Sequence, residues 1–230
     1  MSTRMLVRVV LVLLLSATAA YAHVPFLEDE DFAHGSPFTP ELPHQSIAVY
    51  AWLESAEDVD YYTFELPQKT PFLAEILVPV HDQYREFRPG FALIGKGFPK
   101  PPASLPVTPH EGYGALVFLD DVTKARESFY EPFGGKSYYR GPRLERVLEP
   151  GRYTLVYWDP RRRKGDYVAV IGKQEIWRGK DILRALRVTP LIRQGKELHL
   201  AETKETTEAR EQEEPKKEEP KKEKTGGDGS

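Results

Sequence analysis

A histidine at position 23 and two runs of acids behind it are the residues whose types and spacing could do chemistry. His23 directly follows Ala20-Tyr21-Ala22, an A-x-A cleavage pattern, behind basic Arg4 and Arg8 and an apolar core from Val9 to Leu15. That is the layout of an export signal, so cleavage is expected to make His23 the first residue of the mature chain. A terminal histidine offers its free amine and its imidazole Nδ1 to one metal, and copper(II) favours such tetragonal nitrogen sites. The acids are "EDED", with Glu28, Asp29 and Asp31, and "EDVD", with Asp58 and Asp60. Calcium is a hard cation that takes several oxygens, and carboxylates from two chain segments can supply them. The candidate metal ligands are therefore His23, Glu28, Asp29, Asp31, Asp58 and Asp60, for calcium or copper. The plainer alternative is a solvated acidic edge, beside a histidine that packs or faces water.

A second constellation is "SFYEPFGGKSYYRG", which sets five aromatic side chains around a Gly-Gly turn. Aromatic faces next to a carboxylate and an arginine suit a sugar or a peptide strand. Its candidate binding residues are Tyr130, Glu131, Tyr138, Tyr139 and Arg140, and the alternative is that the rings fold into the core. "RRRK", Arg161 to Lys164, could hold an acidic polymer or simply keep a sheet edge from pairing. Standard catalytic patterns are missing, including G-x-S-x-G and H-E-x-x-H. "GGKS" fails as a phosphate loop because the first glycine of that pattern falls on Tyr130. His81-Asp82 has no nucleophile that spacing can name, so a surface turn is expected there. The reading leans to binding rather than catalysis.

The elements that must position these residues are mostly strands. "SIAVYAWLE" is almost wholly apolar, as in a strand covered on both faces. In "DVDYYTFEL" the period of two puts Val59 and Tyr61 on one face and Tyr62, Phe64 and Leu66 on the other. "FLAEILVPV", "GFALIG" and "ALVFLD" continue the series, interrupted by the proline-rich stretch "FPKPPASLPVTPHEGYG". In "LEPGRYTLVYWDPRRRKGDYVAVIG", Pro150-Gly151 opens a strand and "DPRRRKGD" is expected to close a hairpin. "GKDILRALRV" predicts one amphipathic helix, with Ile182, Leu183, Leu186 and Val188 on its buried side and Pro190 as its stop.

Composition narrows the setting. The chain has no cysteine, which excludes disulfides and thiolate chemistry. It has no asparagine, and its two methionines, Met1 and Met5, lie in the export signal, a bias similar to that of heat-adapted proteins. A formal net charge of −3 supplies no basic field for nucleic acid. The chain divides into a signal at 1–22, an extended arm at 23–45, a strand-rich domain with a late helix at 46–200, and a charged tail at 201–230. The tail repeats "EEPKK" and is too polar to build a core, so disorder is expected.

"EDVDYYTFEL" and "EPGRYTLVYWDP…KGDYVAVIG" resemble the paired signatures of bacterial pre-peptidase C-terminal domains, over residues 46 to 172. The resemblance implies a secreted jelly-roll β-sandwich with a binding role, and some members that bind collagen hold calcium through an acidic N-terminal linker. Lytic polysaccharide monooxygenases and some periplasmic copper carriers are similar at one residue only, the histidine that starts the mature sandwich. The fold expected is all-β, a jelly-roll-like β-sandwich with an arm, one late short helix and a disordered tail. The function expected is an exported, monomeric, non-catalytic module that binds an extracellular polymer or an envelope protein. The alternatives are a metal protein or enzyme built around His23, and a structural component of the envelope. No membrane span is expected once the signal is removed.

Overall fold

A computed structural model describes residues 23–200; the signal segment and the tail lie outside the described residues. The described residues form ten strands in two sheets. Strands β1 (Val24–Leu27), β2 (Ile47–Leu53), β10 (Gly165–Ile171), β4 (Thr70–Pro79), β8 (Lys136–Leu148) and β7 (Ser128–Glu131) make the larger sheet, in that order. Strands β3 (Asp60–Leu66), β9 (Gly151–Trp158), β5 (Gly90–Lys96) and β6 (Tyr113–Phe118) make the smaller one. The pairings are antiparallel except β1 with β2. The fold is an all-β sandwich.

Both outer faces are covered as well, which explains the near-continuous apolar runs. Between the sheets lie Ile47, Tyr62, Phe64, Phe72, Phe91, Leu155, Tyr157 and Tyr167, all buried. Helix α1 (Gly179–Arg193) lays Val188 and Ile192 on the outer face of the larger sheet, against Ala48, Tyr50, Leu77, Val168 and Val170. The proline-rich stretch covers the smaller sheet through Leu105 and Val107, which pack on Ile94, Val156 and Trp158. Gly114 permits this: a Cβ there would stand 2.1 Å from the Phe98 carbonyl oxygen. The strand and the loop could not approach so closely with any larger residue.

Three expectations are corrected. Strands β9 and β10 do not form a hairpin: β9 pairs with β3 and β5, and β10 with β2 and β4. Residues 159–164 instead arch from one sheet to the other, a gap of roughly 10 Å that six residues span. Helix α1 does not stop at Pro190 but continues to Arg193. The cost of the missing N–H is offset by Ile192, wholly buried two residues later. Its buried residues are Asp181, Val188 and Ile192, while Ile182, Leu183 and Leu186 are 51%, 69% and 70% exposed. A polar anchor decides that rotation. Asp181 accepts from Gln45 Nε2 at 2.9 Å and from Arg178 N and Nε at 2.9 and 3.0 Å.

Candidate functional site

The arm and the start of β3 bring three carboxylates together. Strand β1 runs parallel to β2, and at its end Glu28 N donates to the Tyr50 carbonyl at 2.9 Å. The arm then turns and zips onto β3: Tyr61 N donates to Phe32 O, Phe38 N to Tyr61 O and Thr63 N to Phe38 O. Phe26, Phe32 and Phe38 pack edge-on and tilted against one another and Tyr62, which is wholly buried. This aromatic lock fixes where the acids of the arm fall. Ligand oxygens of Glu28, Asp31 and Asp60 all lie within 4.8 Å of one another.

Each acid is held differently. Glu28 accepts from Trp52 N at 2.8 Å and Phe32 N at 3.2 Å, so backbone donors orient it. Asp60, the first residue of β3, is fully buried, and its Oδ2 accepts from Tyr167 Oη at 2.5 Å. Its Oδ1 is buried without a hydrogen-bond partner. Asp31 is exposed at the mouth. Asp58 stands outside the group of three, its Oδ2 accepting from Glu54 N at 2.7 Å, but its charge bears on all three acids. Asp29 is exposed and joins none of them.

Electrostatics follow from that geometry. Burial, then the repulsion of Glu28, push the Asp60 carboxyl up to about 9, against the pull of the Tyr167 hydrogen bond. Burial likewise pushes Glu28 up to about 7, although two backbone N–H groups favour its charged form. Asp31 is raised by burial and by Asp58 and Glu54. Carboxylates this close must either keep protons or share a cation. Oxygen donors alone suit a hard divalent ion, with water filling the remaining positions.

His23 lies elsewhere. Its Nδ1 is 2.6 Å from Ser46 Oγ, and burial, then Arg143, pull its imidazole down to about 4. The nitrogen that a terminal chelate needs is therefore already engaged. Among the described residues no cluster of three metal-ligating side chains includes His23. His34 packs on Tyr61, His81 caps a 3-10 turn, His110 packs on Tyr113, and His199 Nδ1 is 2.7 Å from Asp166. His44 sits in the turn before β2.

The aromatic constellation does not form one surface. Alternation along β8 turns Tyr138 into the core and Tyr139 to the other face, where Arg126 stacks on its ring at 4.3 Å. Arg140 stacks on Phe129 and pairs with Glu75, and Glu131 accepts from Phe133 N and Gly134 N inside the turn. Only Tyr130 of the five stands free, 63% exposed. The arginines of "RRRK" are paired, Arg161 and Arg163 with Glu86 and Arg162 with Glu57. Residues that sequence reasoning missed are Trp52 and Tyr167. Tyr167 is 107 residues from the aspartate it serves, a distance across which no local pattern signals.

No protein-family model matches the chain, and no curated protein matches it. Two solved structures share some of its fold. The pre-peptidase C-terminal domain of a collagenase from Bacillus anthracis is 10% identical, over 66% of this chain and 98% of its own, at a TM-score of 0.34. The surface-associated copper-binding protein CorA from Methylomicrobium album BG8 is 8% identical, over 67% of this chain and 100% of its own, at 0.28. The first belongs to the family that the sequence resembles. Neither likeness is close enough to carry a function across.

Proposed function

We propose that this chain is an exported β-sandwich binding module whose N-terminal arm is fastened by a hard divalent cation, calcium first, held by Glu28, Asp31 and Asp60. The observation that carries the reading is the Asp60 carboxylate: fully buried, with one oxygen bonded to Tyr167 and the other lacking any partner. A buried polar atom left unpaired is costly, and a cation between the three acids removes that cost. Asp58 adds negative potential at the mouth. The ion acts as a clasp between the arm and β3, so the module's work is recognition of an extracellular polymer or an envelope protein rather than catalysis.

Calcium titration followed by calorimetry and by melting temperature tests the clasp. A ligand that binds only the folded state raises the melting temperature with its concentration. Millimolar calcium is expected to raise it, and chelator to reverse the gain. Equal melting with calcium and with chelator, in wild type and in Asp60→Asn alike, would remove the reading.

A further inference from the structure

Helix α1 is apolar on two opposite sides, and only one of them is used. Asp181, Val188 and Ile192 face the sheet. On the outward side Ile182 and Leu186 follow one another at helical spacing, with Leu183 beside them, all more than half exposed. Ile182 and Leu186, together with Trp177, Ala185 and Pro190, border an open groove that reaches Phe133 and Arg193. A contiguous apolar patch left exposed on a helix ordinarily marks a contact face.

Charge points to what covers it. From Gly179 to Lys196 the chain carries five cations, Lys180, Arg184, Arg187, Arg193 and Lys196, and one acid, Asp181, although the whole chain is net negative. That acid is buried and taken by Arg178 and Arg184. Lys180 pairs with Glu41. Among the described residues Arg187, Arg193 and Lys196 have no carboxylate partner, and Arg193 donates only to the Phe133 carbonyl.

We propose that the outer face of α1 is a membrane-contact face, which seats on a bilayer carrying anionic headgroups. Ile182, Leu183 and Leu186 enter the boundary between headgroups and acyl chains, while Arg187, Arg193 and Lys196 meet the phosphates. An apolar ridge fringed by long cationic side chains, with a tryptophan at one end, has the chemistry of an interfacial helix. A second copy fits less well, because it would bring the same cations face to face.

Co-sedimentation of the full chain with phosphatidylcholine vesicles, with and without phosphatidylglycerol, is the test. Binding is expected to the anionic vesicles, stronger at low salt. Leu183→Asp with Leu186→Asp should weaken it at least about tenfold while leaving the melting temperature unchanged. Quenching of tryptophan fluorescence by brominated lipid should fall in Trp177→Phe, which ties the contact to this helix. Equal binding by wild type and the double variant would overturn the proposal, since binding would then lie elsewhere, for example in the apolar run Val9 to Leu15. A concentration-dependent dimer abolished by the double variant would overturn it too, in favour of a second copy.

Discussion

Asp60 and Asp181 are both fully covered from solvent, and they stand at opposite ends of the carboxylate range. Asp60 lies at the head of β3 with two other acids for neighbours, and is pushed up to about 9. Burial would also raise Asp181, but hydrogen bonds from the Arg178 side chain and backbone, and from Gln45, hold it at about 2. Glu75 is covered as well, and is gripped by Arg140 and Arg143 at 3.1 and 2.7 Å. Burial alone therefore does not decide the state of a carboxylate here. At Asp181 and Glu75 the chain brings its own cation, and at Asp60, among the described residues, it brings none. The difference is why an outside charge is proposed for this pocket and not for that of Asp181.

The comparison can be broken most forcefully at Asp181. Asp181→Ala removes the buried carboxylate that Arg178 and Gln45 share and frees the start of α1. A loss of about 3 kcal/mol is expected in urea unfolding. Asp60→Asn should do the reverse in the metal-free protein. An acid whose folded value is raised gives stability fully present below its unfolded value, near 4, and lost as pH rises toward about 9. The amide keeps the acceptor for Tyr167 without the charge. It should gain about 2 kcal/mol at pH 8 and nothing at pH 4, with a flatter pH profile between.

Calcium sharpens the same contrast. The ion needs the deprotonated acids, so its stabilising effect should grow as Glu28 loses its proton through about 7. At tenfold excess over its dissociation constant the gain is about 1.4 kcal/mol at alkaline pH, and smaller at pH 5.5. A calcium effect that grows on acidification would separate the ion from these carboxylates. The smallest effect is expected on the outer side of α1. Leu183→Ser should shift stability by no more than about 0.5 kcal/mol, because that side chain is largely exposed. A larger loss would show that the ridge is packed in the folded chain.

The strands were legible because the period of two survives in the sequence: Tyr62, Phe64 and Leu66 alternate inward as their spacing requires. The candidate cation ligands were legible only as two acidic runs. Which members converge depends on the arm's path, set by Phe32 and Phe38 against Tyr62, and this left Asp29 outside while drawing Glu28 in. The aromatic set around the Gly-Gly turn failed for the opposite reason. Neighbours on one strand point to opposite faces, so closeness in sequence separated Tyr138 from Tyr139.

By itself the sequence determined the all-β class, the late helix and the two acidic runs, because local periodicity and composition encode each of them. Tertiary structure decided what no local pattern carries. It sent β9 and β10 into different sheets, since the partners that complete each strand lie far away in the chain. It turned α1 on the buried anchor Asp181, leaving three leucine-type side chains outward where periodicity alone would bury them. It set Asp60 under Tyr167 and beside Glu28, which made an ordinary turn acid into one that lacks a countercharge. Burial and partner choice are properties of the packed molecule, and the chemistry of a carboxylate follows them.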